Sequence, residues 1–110
     1  MYQDQFIQAI HDRKKLNITF FSQEDNAIIT RKCAPFDYGT GTNIKDHEKR
    51  FWVWDYESDK SPHVLPLQSK NIKSMVTLDE TFHPKDIVDN EWYNNPGFQW
   101  KIGRDWGEYS

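Results

Sequence analysis

Four side chains in the middle of the chain have the types and the spacing of a nucleotide-stacking surface. Arg50, Trp52, Trp54 and Tyr56 occupy alternate positions of one extended segment. Because successive side chains of a strand point to opposite faces, all four share one face. Aromatic rings on such a face stack on bases, and an arginine beside them binds phosphate. The alternative is that an aromatic segment further along the chain covers the rings, since an exposed strip of this size needs a partner.

Basic side chains elsewhere in the sequence are candidates for a phosphate pocket beside these rings. Arginine suits this role because its planar guanidinium makes two parallel hydrogen bonds to phosphate. The alternative is that the basic residues lie on ordinary strand edges, where lysine also opposes aggregation. The predicted pocket comprises Arg31, Arg50, His63, Lys70 and Lys73.

Other reactive side chains do not form a recognisable centre. The four histidines lie far apart, and none stands at metal-ligand spacing from another histidine or from Cys33. Cys33 lies inside a predicted strand, which favours a buried, inert thiol over a nucleophile. Glycine-rich phosphate loops and paired carboxylates are missing from the sequence as well. We therefore expect no metal, no cofactor and no catalytic activity.

Length, charge and cysteine content favour one small intracellular domain. The 110 residues carry a net charge of −3, and 15% of them are aromatic. Residues 1–78 are nearly neutral, with 11 basic against 10 acidic residues, whereas residues 79–110 hold 3 against 7. A single cysteine excludes an internal disulfide and fits a reducing compartment. The polar start is unlike a signal peptide, and no apolar run approaches the roughly 20 residues of a membrane span. We expect a cytoplasmic protein without a membrane partner.

Hydrophobic periodicity predicts one helix followed by five strands. Phe6, Ala9 and Ile10 follow helical spacing, and the period changes to two at Leu16. We expect the second strand to end at Pro35, a loop over residues 37–49, and one face of the last strand to carry Ile72, Ser74, Val76 and Leu78. A small closed barrel plugged by the helix would remove the exposed sheet edges. The predicted helix spans residues 3–15, and the strands span residues 16–22, 27–34, 50–57, 63–67 and 71–78.

The alternation over the third strand predicts which side chains form the core. Phe51 and Val53 should point inward, and Trp52 and Trp54 outward. The acidic C-terminal part holds several aromatic rings, which a disordered tail normally lacks. We therefore expect residues 92–106 to dock on the barrel and to shield part of the strip formed by Trp52, Trp54 and Tyr56.

Several segments of the chain resemble the WYL domain family. Residues 6–13 are similar to its opening helix, and residues 31–35 to a segment that ends in proline. Residues 63–75 resemble its final strand pair, and Phe82 the aromatic residue that closes the domain. Phe51-Trp52-Val53 stands in place of the Trp-Tyr-Leu triplet, and Lys70 is nearest to the family's basic residue before the last strand. The remaining similar segments are Leu16-Asn17-Ile18-Thr19-Phe20 and Trp54-Asp55-Tyr56.

This resemblance implies a mainly β fold and a regulatory function. It implies a five-stranded Sm-like or SH3-like barrel after one N-terminal helix, with a WYL-like domain over residues 1–84 and an aromatic, acidic extension over residues 85–110. The implied function is a ligand-sensing module for a nucleotide or single-stranded nucleic acid, linked to bacterial transcription regulation or defence. Because the chain has no helix-turn-helix, the resemblance implies either the sensing half of such a regulator, with a separate DNA-binding partner, or a divergent stand-alone member. The alternatives are a protein-interaction domain that forms homodimers without a small ligand, and an unrecognised enzyme.

Overall fold

The computed structural model describes residues 2–40, 48–57, 63–88 and 100–110, with only the backbone given for His63. One helix is followed by five strands and a short second helix, and single 3-10 turns lie at Ser69–Asn71 and Gly107–Tyr109. The elements are α1 (Gln3–Asp12), β1 (Lys14–Ser22), β2 (Ala27–Gly39), β3 (Arg50–Asp55), β4 (His63–Leu67), β5 (Ile72–Thr81) and α2 (Lys85–Val88).

All five strands form one antiparallel sheet in the order β4-β3-β2-β1-β5. The mainly β fold with one N-terminal helix is therefore confirmed. The sheet is unclosed, since β4 and β5 do not pair within the described residues, so the predicted closed barrel is not confirmed. Two carbonyl groups of β5 instead accept hydrogen bonds from side chains at the start of α1 and just before it. Tyr2 donates to the Lys73 oxygen over 3.0 Å, and Gln5 donates to the Met75 oxygen over 3.0 Å. These contacts occupy a strand edge that would otherwise be open to other chains.

Helix α1 is shorter than its sequence pattern predicts. Phe6, Ala9 and Ile10 are buried, which confirms the predicted apolar face. The helix ends at Asp12 and not at residue 15, because Arg13 adopts the left-handed conformation with φ of 55°. The backbone N–H of Arg13 donates to the carbonyl oxygens of Ala9 and Ile10, which is a common way to end a helix. The next residue, Lys14, already pairs with β5, so the sheet overrides the helical pattern.

Strand β2 continues through the proline at which we expected it to end. Pro35 pairs with Val53, and the register shifts between Pro35 and Asp37. Phe36 is therefore the extra residue of a bulge, the kind of position at which a sheet tolerates proline. The strand runs on to Gly39, so the loop prediction for residues 37–49 is wrong over its first three residues. Residues 41–47 of that prediction lie outside the described residues.

Strand β5 does not present the face that its sequence predicts. Ile72 and Met75 are buried, whereas Val76 is exposed. The register against β1 shifts between Thr19 and Phe20, which adds a residue to β5 and reverses the alternation there. Ser74 and Val76 pair with Thr19 and Asn17, whereas Ile72 pairs with the buried Phe20. The prediction that Ile72, Ser74, Val76 and Leu78 share one face is therefore wrong, because Ile72 lies on the opposite face from Ser74 and Val76.

The core lies between α1 and one face of the sheet. Phe51 and Val53 are buried while Trp52 and Trp54 are partly exposed, as the alternation predicts. The Phe51 ring meets the Phe6 ring of α1 edge to face, with the ring centroids 4.9 Å apart. We call this side of the sheet the core face and the opposite side the outer face. In the described part of the chain, no helix has the length and apolar character that a membrane crossing requires.

Candidate functional site

The outer face carries the aromatic strip that the sequence predicts. Trp52, Trp54 and Tyr56 are all partly exposed and alternate with the buried residues of β3. The Trp52 indole N–H donates to the carbonyl oxygen of Gly39 over 2.9 Å, which fixes the orientation of that ring. Trp54 lies directly between Ala34 of β2 and Val64 of β4. The strip is a row of rings held by neighbouring strands, with one surface toward solvent.

Tyr56 of this strip has polar neighbours. The Lys15 ammonium lies 4.7 Å from the centre of its ring, a distance at which cation and ring attract. Its hydroxyl donates to Asp86 of α2 over 3.0 Å. Burial, followed by the negative charge of Asp86, raises the pKa of the Tyr56 hydroxyl. Tyr56 therefore stays protonated and serves as a hydrogen-bond donor and a cation-binding ring.

Two lysines lie beside Tyr56 and share one carboxylate. Lys15 approaches Glu80 Oε2 to 3.2 Å, and Lys32 approaches Glu80 Oε1 to 2.8 Å. The hydrogen bonds from both lysines lower the pKa of the Glu80 carboxyl, and the hydrogen bond to Glu80 raises the pKa of Lys32. These shifts keep the Glu80 carboxylate and the Lys32 ammonium charged at neutral pH. Lys15, Lys32 and Tyr56 form what we call the lysine–tyrosine cluster.

The sequence pattern did not select the two lysines of this cluster. The helical pattern predicted over residues 3–15 places Lys15 at the end of a helix and not on a strand. The pattern nonetheless held a signal. Lys15 alternates with Leu16 and Ile18 of β1, and Lys32 precedes the buried Cys33. Extending β1 by two residues places Lys15 outward, on the same face as Asn17, whose partner across the ladder is Lys32.

The structure does not gather the predicted phosphate pocket at one place. Arg31 pairs with Ile18, so it lies on the core face, and its guanidinium donates to the Glu57 carbonyl oxygen. Arg50 begins the strand of the strip and donates to the Glu48 carbonyl oxygen over 3.1 Å. Only the backbone of His63 is described, and it pairs with Asp55.

Lys70 and Lys73 are exposed near the opposite end of β1 from the lysine–tyrosine cluster. Lys70 lies two residues before Ile72, which pairs with Phe20, whereas the cluster lies level with Leu16 and Asn17. Three to four residues of strand correspond to roughly 10–14 Å. Of the predicted pocket residues, only Arg50 therefore shares a strand and a face with the aromatic strip.

The C-terminal strap, residues 100–110, docks on β2 and α1. Its backbone N–H groups at Lys101 and Ile102 donate to the Asp37 carboxylate over 3.0–3.1 Å. Trp106 is buried and donates its indole N–H to the Ile10 carbonyl oxygen over 2.9 Å. Gly39 permits the close approach, because a Cβ there would lie 3.0 Å from the Lys101 side chain. The predicted docking of residues 92–106 is therefore seen over residues 100–106. That this segment shields part of the aromatic strip stays a prediction, because residues 92–99 lie outside the described residues.

A buried ion pair anchors this strap. The Arg104 side chain is 0% exposed and lies 3.3 Å from Asp37. Its guanidinium carbon lies 3.8 Å from the centre of the Trp100 ring and 4.6 Å from that of Trp106. Arginine suits such a place because its planar head stacks on rings while its N–H groups donate in the plane. These N–H groups also reach the carbonyl oxygens of Phe36 and Ile102.

Cys33 is buried, as predicted, and we expect its thiol to be unreactive in the folded protein. Burial, reinforced by the nearby carboxylates of Asp55 and Glu57, raises the pKa of the Cys33 thiol. The thiolate is the reactive form, so a thiol reagent such as 5,5′-dithiobis(2-nitrobenzoate) should label the native protein at pH 8 far more slowly than protein unfolded in urea. Equal labelling rates would contradict this prediction.

The described residues contain no group of three His, Cys, Asp or Glu side chains that could hold a metal ion. His83 has a structural contact, since its Nδ1 accepts the backbone N–H of Lys85 over 3.1 Å. The outer face presents the rings of the strip and the paired charges of Lys15, Lys32 and Glu80.

Comparison with known proteins gives a likeness of fold. No protein-family model matches the sequence, and no curated protein matches it. A solved structure that does match is proteasome accessory factor B/C (PafBC) of Arthrobacter aurescens, with a TM-score of 0.60 and 15% sequence identity. The chain shares its fold with part of PafBC. The match covers 81% of this chain and 13% of PafBC, so the chain corresponds to a small part of that protein.

Proposed function

We propose that this chain is a WYL-like regulatory module that binds a nucleotide or a short single-stranded nucleic acid on the outer face of its sheet. The observation that carries the proposal is the juxtaposition of the partly exposed Trp54 and Tyr56 rings with the ammonium groups of Lys15 and Lys32. Rings of this kind stack on bases without sequence preference, and lysines bind the phosphates between them. This arrangement replaces the pocket of scattered basic residues that the sequence suggested.

The likeness to PafBC supports a place in bacterial transcription regulation. The resemblance of the sequence to the WYL family implies such a role, and the chain shares its fold with part of PafBC. We propose that the chain supplies the sensing function and that a separate protein supplies DNA binding. We propose a binding module and not an enzyme, because carboxylates near the site are engaged structurally. Asp86 accepts from Tyr56, and Glu80 pairs with the two lysines.

Replacing Trp54 by alanine tests this proposal. We expect the wild-type protein to bind a fluorescein-labelled decathymidylate at low salt, measured by fluorescence anisotropy. The loss of one stacked base costs about 1–3 kcal/mol, so Trp54→Ala should weaken binding by roughly 5- to 150-fold. Ile28→Ala is the matched control, because Ile28 lies on the same face and is 60% exposed. Thermal melting of both variants confirms that they are folded.

The result that would contradict the proposed function is the absence of binding. Titration of the wild type with decathymidylate and with adenosine and guanosine nucleotides should give saturation for at least one of them. A flat titration for all of them, or a folded Trp54→Ala variant that binds as tightly as the wild type, would overturn the proposal.

A protein-interaction domain is the second candidate function, favoured by two exposed apolar side chains. Ile28 and Val76 are 60% and 55% exposed. Both lie on the outer face, because Ile28 is four positions from Lys32 and Val76 pairs with Asn17, the partner of Lys32. Sedimentation equilibrium of the full chain, with and without oligonucleotide, separates the two functions. Self-association that Val76→Ala abolishes, without nucleotide binding, would favour the second.

A further inference from the structure

We propose that Lys15 and Lys32 form a phosphate subsite in which the Glu80 carboxylate of the chain itself takes the place of the ligand. The inference rests on the proposed function, because it assigns the position of one phosphate of the bound nucleotide or nucleic acid. It also names a competitor within the chain, which a ligand must displace before its phosphate can bind.

The geometry of the three charged groups carries the proposal. Each oxygen of the Glu80 carboxylate contacts a different lysine, Oε2 with Lys15 at 3.2 Å and Oε1 with Lys32 at 2.8 Å. A phosphate also presents two terminal oxygens, so it can replace the carboxylate and contact both ammonium groups. A carboxylate that bridges two lysines in this way is chemically similar to the ligand that we propose.

The lysines are held more firmly than the glutamate that joins them. The side chains of Lys15 and Lys32 are 20% and 35% exposed, whereas that of Glu80 is 52% exposed. The Lys15 ammonium also lies over the Tyr56 ring, and this ring is tied to α2 through Asp86. Departure of Glu80 therefore leaves Lys15 supported by Tyr56, so a phosphate would find part of its site already formed.

The backbone at Glu80 is irregular, which makes its movement easier. Lys14 pairs with Thr81, but Leu16 pairs with Thr77. Between these two pairs β5 advances by four residues while β1 advances by two. β5 therefore bulges here, and Glu80 lies within the bulge. Ladder hydrogen bonds are locally disrupted in a bulge, so Glu80 can swing away without breaking a regular pairing of strands.

The neighbouring rings place the subsite beside the stacking surface. Tyr56 donates its backbone N–H to the Lys32 carbonyl oxygen, so the tyrosine and this lysine are adjacent across the ladder. Trp54 is the next residue of the strip on the same face. A nucleotide with its phosphate between the two lysines would have its base near these two rings.

Substituting Glu80 by glutamine tests the inference. The full-length, 15N-labelled protein is titrated with inorganic pyrophosphate at low ionic strength, and the NMR signal of the Lys32 amide reports binding. Glu80→Gln removes the competing charge and keeps the shape of the side chain. We expect pyrophosphate to bind the Glu80→Gln variant roughly two- to fivefold more tightly than the wild type. This change in affinity corresponds to the loss of one exposed ion pair.

Two further variants make the result specific. Glu24→Gln removes the same charge from the exposed turn between β1 and β2, so it controls for net charge and should leave the affinity near that of the wild type. In a protein that also carries Lys15→Gln and Lys32→Gln, the gain from Glu80→Gln should disappear. Equal effects of Glu80→Gln and Glu24→Gln would overturn the inference, as would a gain that persists without the lysines.

The same variants distinguish this inference from the proposed function. If decathymidylate binds the wild type but Glu80→Gln improves neither its binding nor that of pyrophosphate, the proposed function stands and the role of Glu80 is wrong. If Glu80→Gln gives the lysine-dependent gain with pyrophosphate while no variant binds nucleotide or oligonucleotide, the anion subsite stands and the proposed function is wrong.

Discussion

Replacing Asp37 by alanine is expected to lower the free energy of unfolding by about 3–5 kcal/mol, the usual cost of removing one partner from a buried ion pair. The Arg104 guanidinium, which is 0% exposed, would lose its negative partner without gaining access to water. The backbone N–H groups of Lys101 and Ile102 would lose their acceptor at the same time. Urea denaturation followed by tryptophan fluorescence measures this loss, because Trp100 and Trp106 lie against the arginine.

Asp105 provides the matched control for this experiment. It is an exposed carboxylate in the same strap, and surface substitutions of this kind usually change stability by less than about 0.5 kcal/mol. A double-mutant cycle with Arg104→Met should show strong coupling, since the second substitution no longer leaves a buried charge alone. A cost below 1 kcal/mol for Asp37→Ala, or one equal to that of Asp105→Ala, would show that the strap does not depend on this ion pair.

The regular elements of the fold follow from the sequence because their patterns are local. The alternation over β3 separates the buried Phe51 and Val53 from Trp52 and Trp54, and the helical spacing of Phe6, Ala9 and Ile10 gives the buried face of α1. Each pattern is set by burial on one side of a single element. Their spacing was sufficient to predict these faces.

The errors lie where one strand imposes its register on another. Residues 13–15 continue a helical pattern, but pairing of Lys14 with Thr81 draws the chain into the sheet. The bulge at Phe36 lets β2 pass Pro35, and the bulge in β5 exposes Val76. None of these shifts is visible in one strand's own sequence, since a bulge is a property of a pair of strands.

The polar parts of the candidate site are equally non-local. Asp37 and Arg104 are 67 residues apart in sequence, and Lys15 and Glu80 are 65 apart. Each residue alone has the appearance of an ordinary surface charge. The sequence predicted the rings of the strip because they alternate along one short segment, residues 52–56. It did not predict the lysines beside them, because three strands and a bulge bring those groups together.

Replacing Phe51 by alanine is expected to cost about 3–5 kcal/mol of stability, the range found for deletion of a buried phenylalanine. Phe51 is 3% exposed, and its ring centroid lies 4.9 Å from those of Phe6 and Tyr38. The loss therefore combines the removal of apolar surface, a cavity between helix and sheet, and two ring contacts. Urea denaturation followed by far-ultraviolet circular dichroism measures it.

The comparison with Ile28→Ala decides which face of the sheet holds the fold together. Ile28 is 60% exposed on the outer face, so its loss should cost less than about 0.5 kcal/mol. Since a small domain is stable by only about 5–15 kcal/mol, Phe51→Leu provides a milder variant in case Phe51→Ala is largely unfolded. If Phe51→Ala costs less than 1 kcal/mol while Trp54→Ala costs more, the two faces are reversed. The rings that we assign to ligand binding would then belong to the core. If instead only Phe51→Ala carries a large cost, the strip on the outer face is not needed for folding and is available for binding.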